Sequence, residues 1–231
     1  MDEDPNVNES MDLSRVLEKF HDVASQYAGV LNQLRRHEIP ESYAEFCVDS
    51  ISPTQMDPAS MILRDTFLEL SGYCLVAYDW VRPLSKWIGD RACLEVMCGC
   101  GCLAKALQDC GVDIVATDDF SWTNHDQCWF QNPWTEIEKI SAVEAIRKYG
   151  AQVSLILVSW PYRDGTALAV LREMRIQNPE AQMIFIGEWN GATANEDFFR
   201  EARRINDVGF YQAIEKFRQH TTINDFPYLI R

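Results

Sequence analysis

LEVMCGCGCLAKAL, Leu94 to Leu107, sets Cys98, Cys100 and Cys102 alternately with Gly99 and Gly101. Either the thiols gather a metal or the glycines bend the chain around a ligand. Structural zinc needs four soft ligands, usually drawn from two C-x-x-C-type pairs. Here C-x-C-x-C is confined to one loop, and Cys110 and Cys128 supply no matching pair. No metal is expected. The flanks suit the glycine reading. Apolar Ala92 to Met97 read as a strand, Gly99 and Gly101 permit a tight loop with close backbone approach to a ligand, and Leu103 to Leu107 begin a helix whose first amides point at that ligand. The cysteines are then small side chains in a crowded turn. Cys98 lends backbone to the ligand, while Cys100 and Cys102 pack.

Downstream the same texture repeats. ACLEVM, VDIVAT, VSLILVSW and AQMIFIG are short apolar runs. They alternate with the amphipathic stretches CLAKALQDC, ISAVEAIRKYG, PYRDGTALAVLREMRIQ and EDFFREARRIND. Repeated β-α-β predicts an α/β fold with a mostly parallel sheet and helices on both faces. The final YQAIEKFRQ and YLIR read as two further strands forming an antiparallel hairpin at one edge. Arg200, Arg203 and Arg204 fall along one helix, as a solvated face.

Upstream, Met1 to Glu9 read as an acidic tail. After Ser10, a plausible N-cap, apolar residues from Leu13 to Leu34 recur at helical spacing, and Pro40 stops the helix. Pro53 and Pro58 mark loops. The stretch from Met61 to Gly89 is helical material interrupted near Gly72 and again at Pro83. The expected organisation is an N-terminal tail and helical extension over 1–90, followed by one α/β domain over 91–231. The long helix lies on that domain, mediates a homodimer or serves as a lid.

The chain of 231 residues is 47% hydrophobic and 24% charged, with a formal net charge of −14. That field repels polyphosphates, so nucleic acid is a disfavoured partner. No run approaches the roughly 18 apolar residues of a membrane span, and MDEDPNVNESMD resembles no targeting segment. A cytoplasmic protein with reduced thiols is expected.

Glu95-x-x-x-Gly99-x-Gly101 after an apolar strand, followed by VDIVATDDF, resembles the cofactor site of class I S-adenosylmethionine-dependent methyltransferases. The resemblance spans roughly Arg91 to Arg231. A dinucleotide fold also opens with strand, glycine loop, helix and a later acid. Glu95 inside the strand and the downstream Ser-Trp-Pro-Tyr are what such a fold does not call for. The resemblance implies a Rossmann-like fold with a seven-stranded sheet and S-adenosylmethionine as cofactor. It gives Glu95 the methionine ammonium, and gives the backbone at Cys98, Gly99 and Gly101 the close approach. Asp118 takes the ribose hydroxyls, with Asp119 as the neighbouring candidate, and Ser141 and Ala142 lie beside the adenine after Ile140. Met97 stands where many members carry the first glycine.

VSLILVSWPY ends in an X-Pro step that stops the strand and aims Ser159, Trp160, Pro161 and Tyr162 over its end. The stretch resembles the Asp/Asn/Ser-Pro-Pro-aromatic motif of amino-methyltransferases. Ser159, Pro161 and Tyr162 match, and Trp160 departs. Methyl transfer is an in-line displacement that draws largely on positioning, and aromatic faces at Trp160 and Tyr162 can attract the sulfonium by cation–π interaction. Glu188 leaves the next strand end as a candidate acid or base, with loop capping as its other reading. Tyr78 and Trp80 either close over the cofactor or pack; Trp122 and His125 carry no assigned role.

The expected function is a methyltransferase acting on a small molecule or on an exposed group of a macromolecule. Two alternatives stand beside it: an adenine amino-methyltransferase on DNA or RNA, and a non-catalytic cofactor-binding module.

Overall fold

The computed structural model describes residues 13–43, 58–124, 132–220 and 223–231. The acidic tail, the cap at Ser10, Pro53, His125 and Cys128 lie outside the described residues. Three helices precede the sheet: α1 (Leu13–Arg35), α2 (Pro58–Ser71) and α3 (Tyr78–Ile88). The loop expected at Pro58 is instead the first position of α2, where proline's missing N–H would have had no helical partner. Gly72, at φ +87, closes that helix in the left-handed region, with its N–H on Leu68 O. The second interruption expected, at Pro83, does not occur, because α3 runs through it. One backbone hydrogen bond is lost there, offset by the burial of Trp80, Val81, Leu84 and Ile88 on one helical face.

From residue 93 the chain alternates as expected. β1 (Cys93–Val96), α4 (Cys102–Asp109), β2 (Ile114–Asp118), β3 (Glu138–Lys139), α5 (Ala142–Tyr149), β4 (Leu155–Ser159), α6 (Thr166–Gln177) and β5 (Gln182–Gly187) lead to α7 (Glu196–Glu201), α8 (Val208–Ala213) and β6 (Phe226–Ile230). The sheet order is β3-β2-β1-β4-β5-β6. All pairs are parallel except β5 with β6. This is a Rossmann-like α/β sheet with an antiparallel edge. Six strands form among the described residues where seven were expected. YQAIEKFRQ is not a strand, because Asp207 caps α8 by accepting from Phe210 N at 2.8 Å. Phe210, Ala213, Ile214 and Phe217 are then buried at helical spacing. Beside β6 there is one isolated antiparallel bridge, Arg204 to Ile230, outside the expected strand. Nor do the three arginines share a helix. α7 ends at Glu201, and Arg204 lies over the rings of Trp189 and Tyr228 at 3.9 and 4.6 Å.

Strand periodicity sorts the core into two layers. Leu94, Val96, Ile156, Val158, Met183 and Phe185 pack with α5 and α6 on one face. Cys93, Leu155, Leu157, Ile184 and Ile186 pack on the other with α3 and α4, in the same cluster as Leu31 and Leu34 of α1. Glu95 shares the second face, so β1 carries a carboxylate where its period-two neighbours are apolar. Strand order reverses between β1 and β4, and the crevice beyond such a switch is where α/β sheets hold ligands. Among the described residues no helix is long and apolar enough to cross a membrane.

Candidate cofactor and acceptor cavity

The turn after β1 has three residues in the left-handed region: Met97 (φ +55), Gly99 (φ +57) and Gly101 (φ +75). Met97 therefore adopts the backbone shape a glycine would give, at a cost of roughly 1–2 kcal/mol. The turn is tied from several sides. Cys98 N donates to Thr117 O at 3.1 Å, Gly101 N to Cys98 O at 2.9 Å, and Trp134 N to Cys100 O at 2.8 Å. A side chain at Gly101 would press on Thr135 Cγ2 at 3.0 Å and Ile137 Cδ1 at 3.2 Å.

Asp118, at the tip of β2, reaches across to this turn. Its Oδ2 accepts from Gly99 N at 2.8 Å, and its Oδ1 accepts from Phe120 N at 2.7 Å and Trp122 Nε1 at 3.1 Å. Burial raises its pKa from the ordinary value, against those three donors. Glu95 is 1% exposed. One side of its carboxylate accepts from the backbone N–H of Ala104, in the first turn of α4, while Oε2 has no hydrogen-bond partner. Burial pushes its pKa up to about 8; the Ala104 N–H opposes the shift and the charge of Asp118 adds to it. A buried carboxylate with an unspent oxygen is expensive unless a cation or donor arrives.

These groups line one cavity of about 890 Å³, toward the large end of ligand sites. Its lining takes in Glu95, Met97, Cys98 and Gly99 from β1 and its turn, Asp118 and Asp119 from the end of β2, Ser141 and Ala142 from the start of α5, and Ser159, Trp160, Pro161 and Tyr162 from the end of β4. Two expected residues are elsewhere. Gly101 does not line the cavity, because it is packed under Thr135 and Ile137. Glu188 does not either: its Oε2 accepts from Ala192 N at 2.9 Å and its Oε1 from Asn224 N at 3.0 Å, so the carboxylate holds loops together. Ser141 lines the space, but its hydroxyl donates to Glu144 Oε2 at 2.6 Å, a helix-start arrangement. Asp119 is exposed and accepts from Ser121 N at 2.8 Å.

The cysteines behave as packing groups. Cys100 and Cys102 are buried, and burial pushes the Cys100 thiol up to about 12 and the Cys98 and Cys102 thiols well above their ordinary value. Such thiols stay protonated, whereas metals bind thiolates. Among the described residues no group of three or more His, Cys, Asp or Glu is placed to hold a metal ion.

Ser159-Trp160-Pro161-Tyr162 turns sharply because Trp160 sits at φ +52. The strained residue is held by three contacts: its N–H on Ile186 O at 2.8 Å, its Nε1–H on Asp225 Oδ2 at 2.9 Å, and its ring stacked on Tyr73 at 4.4 Å and 16°. Tyr162 is 56% exposed at the mouth.

Several wall residues were not legible in the sequence. Tyr73 and Cys74 come from the connection after α2, an extension with no motif of its own. An aromatic directly after a helix-ending glycine was the available signal. Trp122, given no role, lines the cavity and holds Asp118. Asp225 does not line the cavity but holds Trp160 from behind; it is buried, with burial raising its pKa to about 7 and Oδ1 unpartnered among the described residues. It entered through strand pairing far from β4, which spacing does not reveal. Tyr78 and Trp80 do not close over the cavity: Tyr78 donates to Asp109 Oδ2 at 3.0 Å, and buried Trp80 donates to Leu75 O at 3.0 Å.

No family model matches this chain, and no curated protein matches it. Solved structures do. The chain is similar to one from a fibrillarin/Nop5p complex, at 11% identity and a TM-score of 0.34, covering 66% of this chain and 83% of that one. It is similar to TehB from Haemophilus influenzae at 11% identity and 0.35, over 72% and 65%. Human N-acetylserotonin methyltransferase, solved with SAM, matches at 12% identity and 0.38, over 94% and 69%. This chain thus spans just under two thirds of the TehB chain.

Proposed function

We propose that the chain is an S-adenosylmethionine-dependent methyltransferase. The observation that carries this reading is the charge of the cavity at the β1–β4 switch. Glu95, Asp118, Asp119 and Asp164 line it, and among the described residues no Lys, Arg or His does. A nicotinamide dinucleotide would bring its pyrophosphate against four carboxylates with no side-chain cation to meet it. A sulfonium amino acid brings positive charge. Glu95 Oε2, buried and without a partner, suits the methionine ammonium. Asp118 stands at the tip of the adjacent strand, where its remaining lone pairs can accept from ribose hydroxyls. Met97 and Gly99 both take the left-handed bend that brings the turn's backbone to the cavity, and Gly99 does so without a side chain.

The bound cofactor would supply an activated methyl group on a sulfonium. The chain's part is positioning and shielding. Trp160, locked by Asp225 and Tyr73, and Tyr162 present aromatic faces beside Ser159. Such faces favour a cation by about 0.5–2 kcal/mol. Neither Glu95 nor Asp118 is free to act as a base, since both are spent on the cofactor.

An adenine amino-methyltransferase draws support from Ser159-x-Pro161-Tyr162 and the exposed ring of Tyr162. The carboxylates around the cavity oppose a phosphate backbone there, so this alternative is the weaker one. The binding-module alternative drew on Met97. The turn keeps a glycine-like shape at that position, which weakens the case for degeneracy.

Calorimetry with S-adenosylhomocysteine tests the reading. Micromolar binding is expected, weakened about tenfold or more by Asp118→Ala through lost hydrogen bonds to the ligand. Absence of binding at high micromolar ligand refutes the function, and unchanged affinity in the variant refutes the ribose assignment.

A further inference from the structure

The cavity carries more negative charge than a sulfonium amino acid needs. Glu95 and Asp118 sit at the turn after β1 and answer to the cofactor. Asp119 and Asp164 line the same space. Each uses one oxygen on a nearby amide, Ser121 N and Thr166 N, both at 2.8 Å, and keeps the other without a hydrogen bond among the described residues. Burial raises the pKa of the Tyr162 hydroxyl, and the charges of Asp118, Asp119 and Asp164 lie close enough to add to that shift. Arg64, whose charge reaches Tyr73, is bound to Asp65 at 3.0 Å and stands outside the lining. Beside these acids lies an aromatic wall, with Tyr73 and Trp160 parallel at 4.4 Å and Tyr162 half exposed.

We propose that the methyl acceptor is an organic cation: an amine that arrives as its ammonium, carried on a flat aromatic body. This inference rests on the methyltransferase reading and names its substrate class. The flat body fits against Trp160 or Tyr162 by stacking, and the ammonium gains from both the carboxylates and the ring faces. An acceptor bearing carboxylate or phosphate would meet no positive side chain among the described residues of the lining. The long-range field of a −14 chain also draws cations toward such a cleft. For transfer, the ammonium first releases one proton to solvent or to an exposed carboxylate. The freed lone pair then forms the N–C bond as the S–C bond breaks and its electron pair stays on sulfur. The products are a methylated ammonium, the thioether and one proton.

The test is calorimetry on the full chain, with and without S-adenosylhomocysteine, using three probes. Phenethylamine pairs ring and cation, 3-phenylpropionate pairs ring and anion, and 2-cyclohexylethylamine keeps the cation without the π face. Phenethylamine should bind about tenfold more tightly than 3-phenylpropionate, with cyclohexylethylamine between them. Asp119→Asn with Asp164→Asn should lower phenethylamine affinity about tenfold and S-adenosylhomocysteine affinity by a smaller factor; Tyr162→Leu should erase the advantage over cyclohexylethylamine. All three side chains are exposed, so the variants should fold. Equal or tighter binding of the anion, binding of no probe, or variants that bind phenethylamine as well as the parent overturns the proposal. Failure of S-adenosylhomocysteine alone refutes the cofactor reading instead. The preference for cations is still read from the titrations without it.

Discussion

Replacing Glu95 by Gln should stabilise the free protein while weakening its hold on the cofactor product. The carboxyl is held at about 8, against an ordinary 4.5, mainly by burial. Below pH 4.5 folded and unfolded chains both keep the proton, and Gln mimics the neutral acid, so the two proteins should melt together. Between 4.5 and about 8 the unfolded chain has released a proton that the folded chain still holds, so the parent loses stability as pH rises. At 1.36 kcal/mol per pH unit the accumulated cost reaches up to about 5 kcal/mol above pH 8. A chain of this size shifts by about 2–4 °C per kcal/mol, so Glu95→Gln should melt on the order of 10 °C higher at pH 8.5. Binding should move the other way. A charge-assisted hydrogen bond is worth about 1.5–3 kcal/mol, so affinity for S-adenosylhomocysteine should drop roughly ten- to a hundredfold. Thermal melts across pH 4 to 9, with calorimetry at pH 7.5, read both effects. A variant that melts no higher than the parent at pH 8.5, or binds the product equally well, would falsify the assignment of Glu95 as a carboxylate kept for the ammonium.

Two further changes probe the turn and the wall. Gly101→Ala places a Cβ at φ +75, 3.0 Å from Thr135 and 3.2 Å from Ile137, and should cost at least about 1–2 kcal/mol in urea unfolding; an unchanged midpoint refutes the tight packing. Asp225→Ala leaves Trp160 Nε1–H without its acceptor and should destabilise by about 1–3 kcal/mol, whereas Asp225→Asn keeps an acceptor oxygen. Because burial raises Asp225 from 3.8 to about 7, the parent loses stability as pH rises from about 4 to about 7, and the loss is complete above about 7, where the folded carboxyl ionises. Its tryptophan fluorescence should titrate there, and persistence of that transition in Asp225→Asn would assign it to another group.

What the sequence disclosed follows from which forces act locally. The strand–glycine–helix turn was legible because left-handed backbone and apolar periodicity leave their marks within 14 residues, as did Asp118 one strand later. Glu188 shows the limit. Its place after an apolar strand matched a reactive acid, yet its oxygens are claimed by the amides of Ala192 and Asn224, and the second partner lies 36 residues away. Gly101 falls outside the cavity lining for a related reason, since the segment packed against it, at Thr135 and Ile137, arrives after β2. The strand expected in YQAIEKFRQ failed on local chemistry that was on the page: Asp207 three residues before Phe210 is a helix start, and the apolar spacing beyond it is helical. Tyr73 and Asp225 are the instructive pair. One precedes β4 by more than eighty residues and the other follows it by more than sixty, and they meet only on the indole of Trp160, by stacking and by hydrogen bond. A residue forced to φ +52 ahead of a proline needs such support from outside its own segment. The proposed acceptor wall is therefore set by tertiary contacts to an unfavourable backbone bend. Changes at Tyr73 or Asp225 should alter acceptor binding while leaving the turn after β1, and the product bound there, intact.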